Sequence, residues 1–230
     1  MQMTRCLCVI SSKNPTSVLS ETILGVKTHY PEFDIVVVDS DSTDFSGYKR
    51  IPQIMSVECC KNKNWELGAW HYALSKFDDY DIYMFIQDTL TPIRRIPGFD
   101  VVNFPPTLFY SCHYNALVSD GGYFDNLVNV YANTNLSFIS DLPPNAPMLG
   151  AAHSSFITCR QVAKQILKLE DAYIEKKLLK TKIDSWLSER TVGIMADRIG
   201  TQRIDVCNHF QKTNGRRDLE GEYALYLNRT

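Results

Sequence analysis

The feature that most constrains this chain is a recurring alternation. Short unbroken runs of β-branched and aromatic residues are each followed by a polar stretch and then by a segment with helical apolar spacing. Residues 6–11 (CLCVIS), 34–39 (DIVVVD) and 81–89 (DIYMFIQDT) are the clearest runs, and 54–60 (IMSVECC) is a weaker one. Continuous apolar strands are buried on both faces, so helices must cover a largely parallel sheet above and below. Segment 17–28 supplies one helix, with Val18, Leu19, Ile23, Leu24 and Val26 at near-helical spacing, and a second is expected from about Leu67 to Phe77. The chain reads as α/β, a Rossmann-like single domain over 1–230 with a mostly parallel central sheet flanked by helices.

Beyond Pro92 the pattern is less regular. Strands are expected at 101–104 (VVNF), 108–114 (LFYSCHY), 136–140 (LSFIS), 153–159 (HSSFITC) and 223–227 (YALYL). Helices are expected from about Arg160 to Leu179 and from Trp186 to Ile199, the second closed by Gly200 as a C-cap glycine. The 230 residues, 44% hydrophobic, suffice for a core that needs no covalent staples. Seven cysteines without a CxxC pair read as buried thiols in a reducing compartment rather than a zinc site. A formal charge of -2 provides no field for nucleic acid or anionic membrane. No apolar run is long enough for a signal peptide or a bilayer span, so the expectation is a soluble cytoplasmic protein that neither inserts in membranes nor binds nucleic acid.

Three strands end in polar residues, at SSKN, DSDS and QDT. Ligands of open α/β sheets bind outside the carboxyl ends of the strands, so these ends are expected to converge on one crevice. In the second, Asp39, Asp41 and Asp44 do not make a calcium loop, because position six would be Asp44 instead of glycine and position twelve Arg50 instead of glutamate. Asp39 and Asp41 are placed to accept hydrogen bonds from a nucleobase or ribose; an Asx-turn or N-cap cluster is the alternative. In the third, Gln87 precedes Asp88, one carboxylate that can hold a divalent cation against a diphosphate. Asn64, Gly68 and Ala69 in NWELGAWH open a slim helix start suited to approach by phosphate or sugar, with Trp70 assigned to the core. GxSxG, HExxH, Walker and GxGxxG motifs are absent, which removes support for hydrolase, zinc protease, NTPase and dehydrogenase chemistry.

Taken in order, these motifs resemble the GT-A class of nucleotide-sugar glycosyltransferases. Within that class, NWELGAW before QDTLTP, HSSFITCRQVA, and SERTVGIMADRIG are similar to the corresponding segments of the rhamnan-synthesis branch of family 2 enzymes, over about residues 6–209. The resemblance implies a hexose, with rhamnose one candidate, moved from a nucleoside diphosphate such as UDP to a glycan hydroxyl. It allots about 1–100 to the donor and about 101–230 to the acceptor. Ser11, Ser12, Asp39 and Asp41 would then hold base and ribose, Asn64 and Gly68 the donor phosphate or sugar, and Gln87 and Asp88 the diphosphate end. Asp88 with His209 would carry Mn2+ or Mg2+, His71 and His153 would face phosphate or acceptor, and Glu189 would be the base of an inverting transfer. The usual Asp-any-Asp triplet is reduced here to Asp88. A retaining transferase and a nonenzymatic nucleotide- or glycan-binding module are the alternative readings.

Overall fold

The apolar runs become adjacent parallel strands. In the computed structural model, which describes residues 4–61, 65–104, 108–114, 148–175, 182–201 and 203–213, strands β1 (Cys6–Ser12), β2 (Phe33–Asp39), β3 (Ser56–Cys59) and β4 (Ile82–Gln87) lie in the order β3-β2-β1-β4, all parallel. A short β5 (Leu90–Pro92) follows. The sheet then continues through β7 (Met148–Cys159), antiparallel to β4, to β6 (Leu108–Tyr114) and β8 (Ile204–Asp205), seven strands in all among the described residues. It is mostly parallel, as expected, and draws strands from both halves of the chain. A separate ribbon pairs β5 antiparallel with β9 (Phe210–Lys212).

The period of two along each strand divides the interior into two cores. Leu7, Val9, Val36, Val38, Tyr83 and Phe85 point to one face, where they meet Leu67, Trp70 and Ala73 of α2 (Trp65–Lys76), Ile166 and Leu167 of α3 (Arg160–Glu175), and Val192 and Met195 of α4 (Lys182–Ile199). Cys8, Ile10, Ile35, Val37, Met84 and Ile86 point to the other, against Leu19, Ile23 and Val26 of α1 (Ser17–His29). Each fully buried aliphatic side chain contributes about 1.5–3 kcal/mol. Helix α1 starts where Thr16 caps it, its hydroxyl accepting from the Val18 N–H at 3.3 Å. Helix α4 ends at Gly200, whose φ of +76° only glycine adopts freely, while the Thr201 N–H reaches back to the Ala196 carbonyl at 3.0 Å.

Several expectations need correction. Residues 101–104 form no strand and 101–103 are bends, because the Asp100 carboxylate takes the Val102 backbone N–H at 2.8 Å and so competes with any ladder, while it also accepts from the Asn103 side-chain amide at 2.8 Å. The strand expected at 153–159 begins at Met148, and α4 begins at Lys182, four residues before Trp186. Glu189 is therefore in the middle of a helix and not at its start. Among the described cysteines all are free, as expected, but only Cys6 and Cys8 are buried; Cys59 is exposed. Burial pushes the Cys6 thiol up to about 12. The strands expected at 136–140 and 223–227 lie outside the described residues. Among those described, no helix is long and apolar enough to cross a membrane.

Candidate functional site

Strand order reverses between β1 and β4: the chain runs outward from β1 through β2 to β3, then returns to the other side of β1. This is the topological switch point, where open α/β sheets place ligands beyond the carboxyl ends of the strands. A hydrogen bond spans it. The Ser12 hydroxyl donates to Asp88 Oδ2 at 2.7 Å, and the Asp88 N–H donates to the Ser11 carbonyl at 2.9 Å. Ser11 and Ser12 are both buried, and Thr22 of α1 anchors the turn from below by donating to the Asp88 carbonyl at 2.8 Å.

Asp88 as a residue is half-buried, but its carboxyl group is densely surrounded. Burial raises its pKa to about 6, with the Glu66 charge adding to the rise; the Ser12 hydroxyl, the Lys212 ammonium and the Lys13 N–H oppose it. Its folded value lies above the ordinary 3.8, so ionised Asp88 costs stability as pH rises through that window. Asp88→Asn should therefore melt higher than the parent at pH 7.5, with the difference vanishing toward pH 4. A parent that melts higher at pH 7.5 would contradict this.

The β2 end is organised differently from the expectation. Asp39 is fully buried and its carboxylate is saturated from within. Oδ1 accepts from the Ser42 N–H at 2.9 Å and from the Cys59 thiol at 3.5 Å; Oδ2 accepts from the Tyr48 hydroxyl at 2.5 Å and from the Ser42 hydroxyl. Burial pushes its pKa up, yet the hydrogen bonds from Ser42, Tyr48 and Cys59 prevail and hold it below the usual carboxylate range. Asp39 thus braces the loop, as in the Asx-turn alternative. Asn14, on the neighbouring β1–α1 loop, ties the two loops together: its side-chain carbonyl accepts from the Thr43 and Asp44 N–H groups at 2.8 and 3.1 Å, and its own N–H donates to Ser42 Oγ at 2.7 Å. Gly47 permits this closure, since a Cβ there would lie 2.3 Å from the Pro15 carbonyl oxygen. Asp41, with φ of +71°, sits at the tip of the braced loop.

The β4 end carries a polar relay. Gln87 Nε2 donates to the Glu66 carboxylate in the first turn of α2, and Gln87 Oε1 accepts from Lys212 Nζ, which also donates to Thr89 Oγ1. The C-terminal segment does return to this strand end, but it brings Lys212. In the β5–β9 ribbon Leu90 faces Lys212 and Pro92 faces Phe210, so His209 meets Ile93, whose N–H donates to the His209 carbonyl at 3.0 Å. His209 is thereby held beside Ile93, five positions past Asp88, and its buried Nδ1 has no hydrogen-bond partner among the described residues. Gly68 is buried in α2, and His71 lies half-buried on the same helix. Asn64 lies outside the described residues.

Two residues from distant parts of the sequence do come together. His153 Nδ1 lies 3.7 Å from Glu189 Oε1, within ion-pair range and beyond a normal hydrogen bond. The Glu189 side chain is 13% exposed, against 34% for His153. Their meeting depends on a bulge in β7. Between the pairs Phe109/Phe156 and Ser111/Ala151, β7 advances five positions while β6 advances two. Within that bulge, His153 and Ser154 have φ of +55° and +50°. Left-handed backbone at a non-glycine residue costs about 1–3 kcal/mol and persists only where the surroundings impose it. The buried Trp70 indole does so, donating to the Ser154 carbonyl at 3.0 Å, while the Ser155 hydroxyl donates to the His153 carbonyl at 3.1 Å. Since β7 runs antiparallel to β4, with Phe85 opposite Phe156, the bulge lies at the same sheet end as Asp88.

These residues do not fit a divalent cation held as the resemblance implies. Asp88 accepts from Ser12 and is flanked by the Lys212 ammonium, Glu66 is engaged by Gln87, and His209 pairs farther along the ribbon. Among the described residues no group of three or more His, Cys, Asp or Glu side chains could hold a metal. Lys212, Glu66, Asn14 and Tyr48 were not expected at the site. Asn14 before Pro15 was a turn signal, whereas nothing around Lys212 in the sequence marks it. Neither a protein-family model nor a curated protein matches the chain.

Proposed function

We propose that this chain is a nucleotide-sugar glycosyltransferase of GT-A type, moving a hexose from a nucleoside diphosphate to a glycan hydroxyl with inversion. The supporting observation is the convergence, at one end of a Rossmann-like sheet, of the Ser12–Asp88 contact at the switch point with the His153–Glu189 pair across β4. In this reading the Ser11–Ser12 strand end and the braced loop at Asp41 receive the nucleoside. The diphosphate lies toward Asp88 and the acceptor toward His153. Glu189 takes the proton of the acceptor hydroxyl as its oxygen bonds to the anomeric carbon. The bond from that carbon to the β-phosphate oxygen breaks, and its electron pair leaves with the nucleoside diphosphate. His153, adjacent to the base, aligns the acceptor.

The test is a panel of uridine, thymidine and guanosine diphosphate sugars, read as release of free nucleoside diphosphate with and without oligosaccharide acceptors. One donor should show release that rises with acceptor, and the product anomer should be inverted. A product with the donor's own anomeric configuration would remove Glu189 from its role as base. The reduction of the Asp-any-Asp triplet to the single Asp88 favours the alternative of a binding module, and nucleotide binding without turnover across the whole panel would establish it.

A further inference from the structure

We infer that Lys212 supplies the positive charge for the leaving diphosphate at this site, in the place where the resemblance expects a divalent cation. The inference rests on the nucleotide-sugar reading above and deepens it. Its observations are the ribbon that returns Lys212 to the β4 end, 125 positions from Gln87 in sequence, and the relay Glu66–Gln87–Lys212 assembled there.

Gln87 is the member that makes the relay specific. Its amide offers one donor and one acceptor face: Nε2 is used by the Glu66 carboxylate and Oε1 by the Lys212 ammonium. A carboxylate at position 87 would confront Glu66 with a like charge and invite a metal to separate them. The neutral amide removes that need and aims an ammonium at the crevice instead. Thr89 supplies Lys212 with a second neutral acceptor, and the Thr213 N–H, donating to the Thr89 carbonyl at 2.8 Å, extends the ribbon past Lys212 and holds it in register. A doubly charged cation on Asp88 would share this strand end with the ammonium and be repelled by it.

Chemically, the ammonium suffices for the charge that develops. As the anomeric C–O bond breaks, its electron pair passes to the β-phosphate oxygen and the diphosphate gains one negative charge. Lys212 keeps all its protons and can exchange its neutral acceptors for phosphate oxygens, a charge-assisted pairing that is stronger than the bonds it leaves. The acceptor proton remains on Glu189, so charge and protons balance without a co-reactant.

Calorimetry on the full chain tests this, with uridine, thymidine, guanosine and adenosine diphosphates as probes, in EDTA and then in manganese or magnesium. At least one probe should bind in EDTA, with metal changing its Kd by less than about threefold. Lys212→Met should weaken that binding roughly ten- to a hundredfold, the range set by losing a charged hydrogen bond. Lys212→Arg should recover most of it, and Gln87→Leu, which unpins the ammonium, should fall between. Thermal melts of the variants separate binding loss from unfolding. Binding that appears only with metal, or that Lys212→Met leaves unchanged, overturns the inference while the nucleotide-sugar reading stands. No binding of any probe in either condition overturns both.

Discussion

Glu189→Gln should reduce sugar transfer by about 10²–10⁴-fold, the usual contribution of a positioned general base, while leaving nucleoside diphosphate affinity within about twofold. The separation is expected because Glu189 is on α4, whereas the switch point is formed by β1 and β4. Glutamine preserves volume and hydrogen-bonding capacity in a side chain that is only 13% exposed, so the fold should tolerate it. The measurements are acceptor-stimulated release of nucleotide and calorimetric binding on the same preparation. Equal transfer rates for variant and parent would dismiss Glu189 as the base. A parallel loss of nucleotide binding would mean that it acts through the fold.

Trp70→Ala should lower stability by about 3–5 kcal/mol, since a fully buried indole leaves a cavity against Phe85, 5.2 Å away between ring centroids. In a domain of this size that corresponds to a melting shift on the order of 10 °C. Trp70→Phe is the sharper experiment. It keeps a ring in the core but strips the hydrogen bond from the Ser154 carbonyl, at a cost of about 1–3 kcal/mol for the buried acceptor left behind. The bulge then loses one of the contacts that hold His153 and Ser154 in left-handed backbone. Transfer should fall more than nucleotide affinity, with affinity unchanged within about twofold. If transfer and affinity fell together, Trp70 would be only a core residue, as its place in the sequence suggested.

How much of this was legible beforehand can be judged residue by residue. The burial of Leu7, Val9, Val36 and Val38 follows from unbroken β-branched runs, which cannot face water on either side. That Ser11, Ser12 and Asp88 end neighbouring strands follows from the same runs, because parallel strands present their carboxyl ends together. Asp39 was legible as a strand end but not as a saturated carboxylate. Its partners Ser42, Tyr48 and Cys59 come from a loop and a neighbouring strand whose approach is a tertiary matter. Glu189 and His153 were legible as candidate types, yet their contact required α4 to cross the β7 bulge, and a five-for-two register shift has no local sequence signature.

Sequence alone determined what is periodic and local: the α/β class, the mostly parallel sheet, and the glycine end of α4. These depend on side-chain spacing and on the backbone preferences of single residues, both written along the chain. Only the tertiary structure decided which cation stands beside Asp88. Only two residues separate His209 from Lys212, and the register of a three-residue ribbon with β5 places Lys212, not the histidine, at the β4 end. A one-residue shift in such a pairing would turn every side chain to the other face, and nothing in so short a segment specifies its register apart from the partner strand. The charge chemistry of the site is thus set by a long-range pairing, while the sheet that carries the site is set by local pattern.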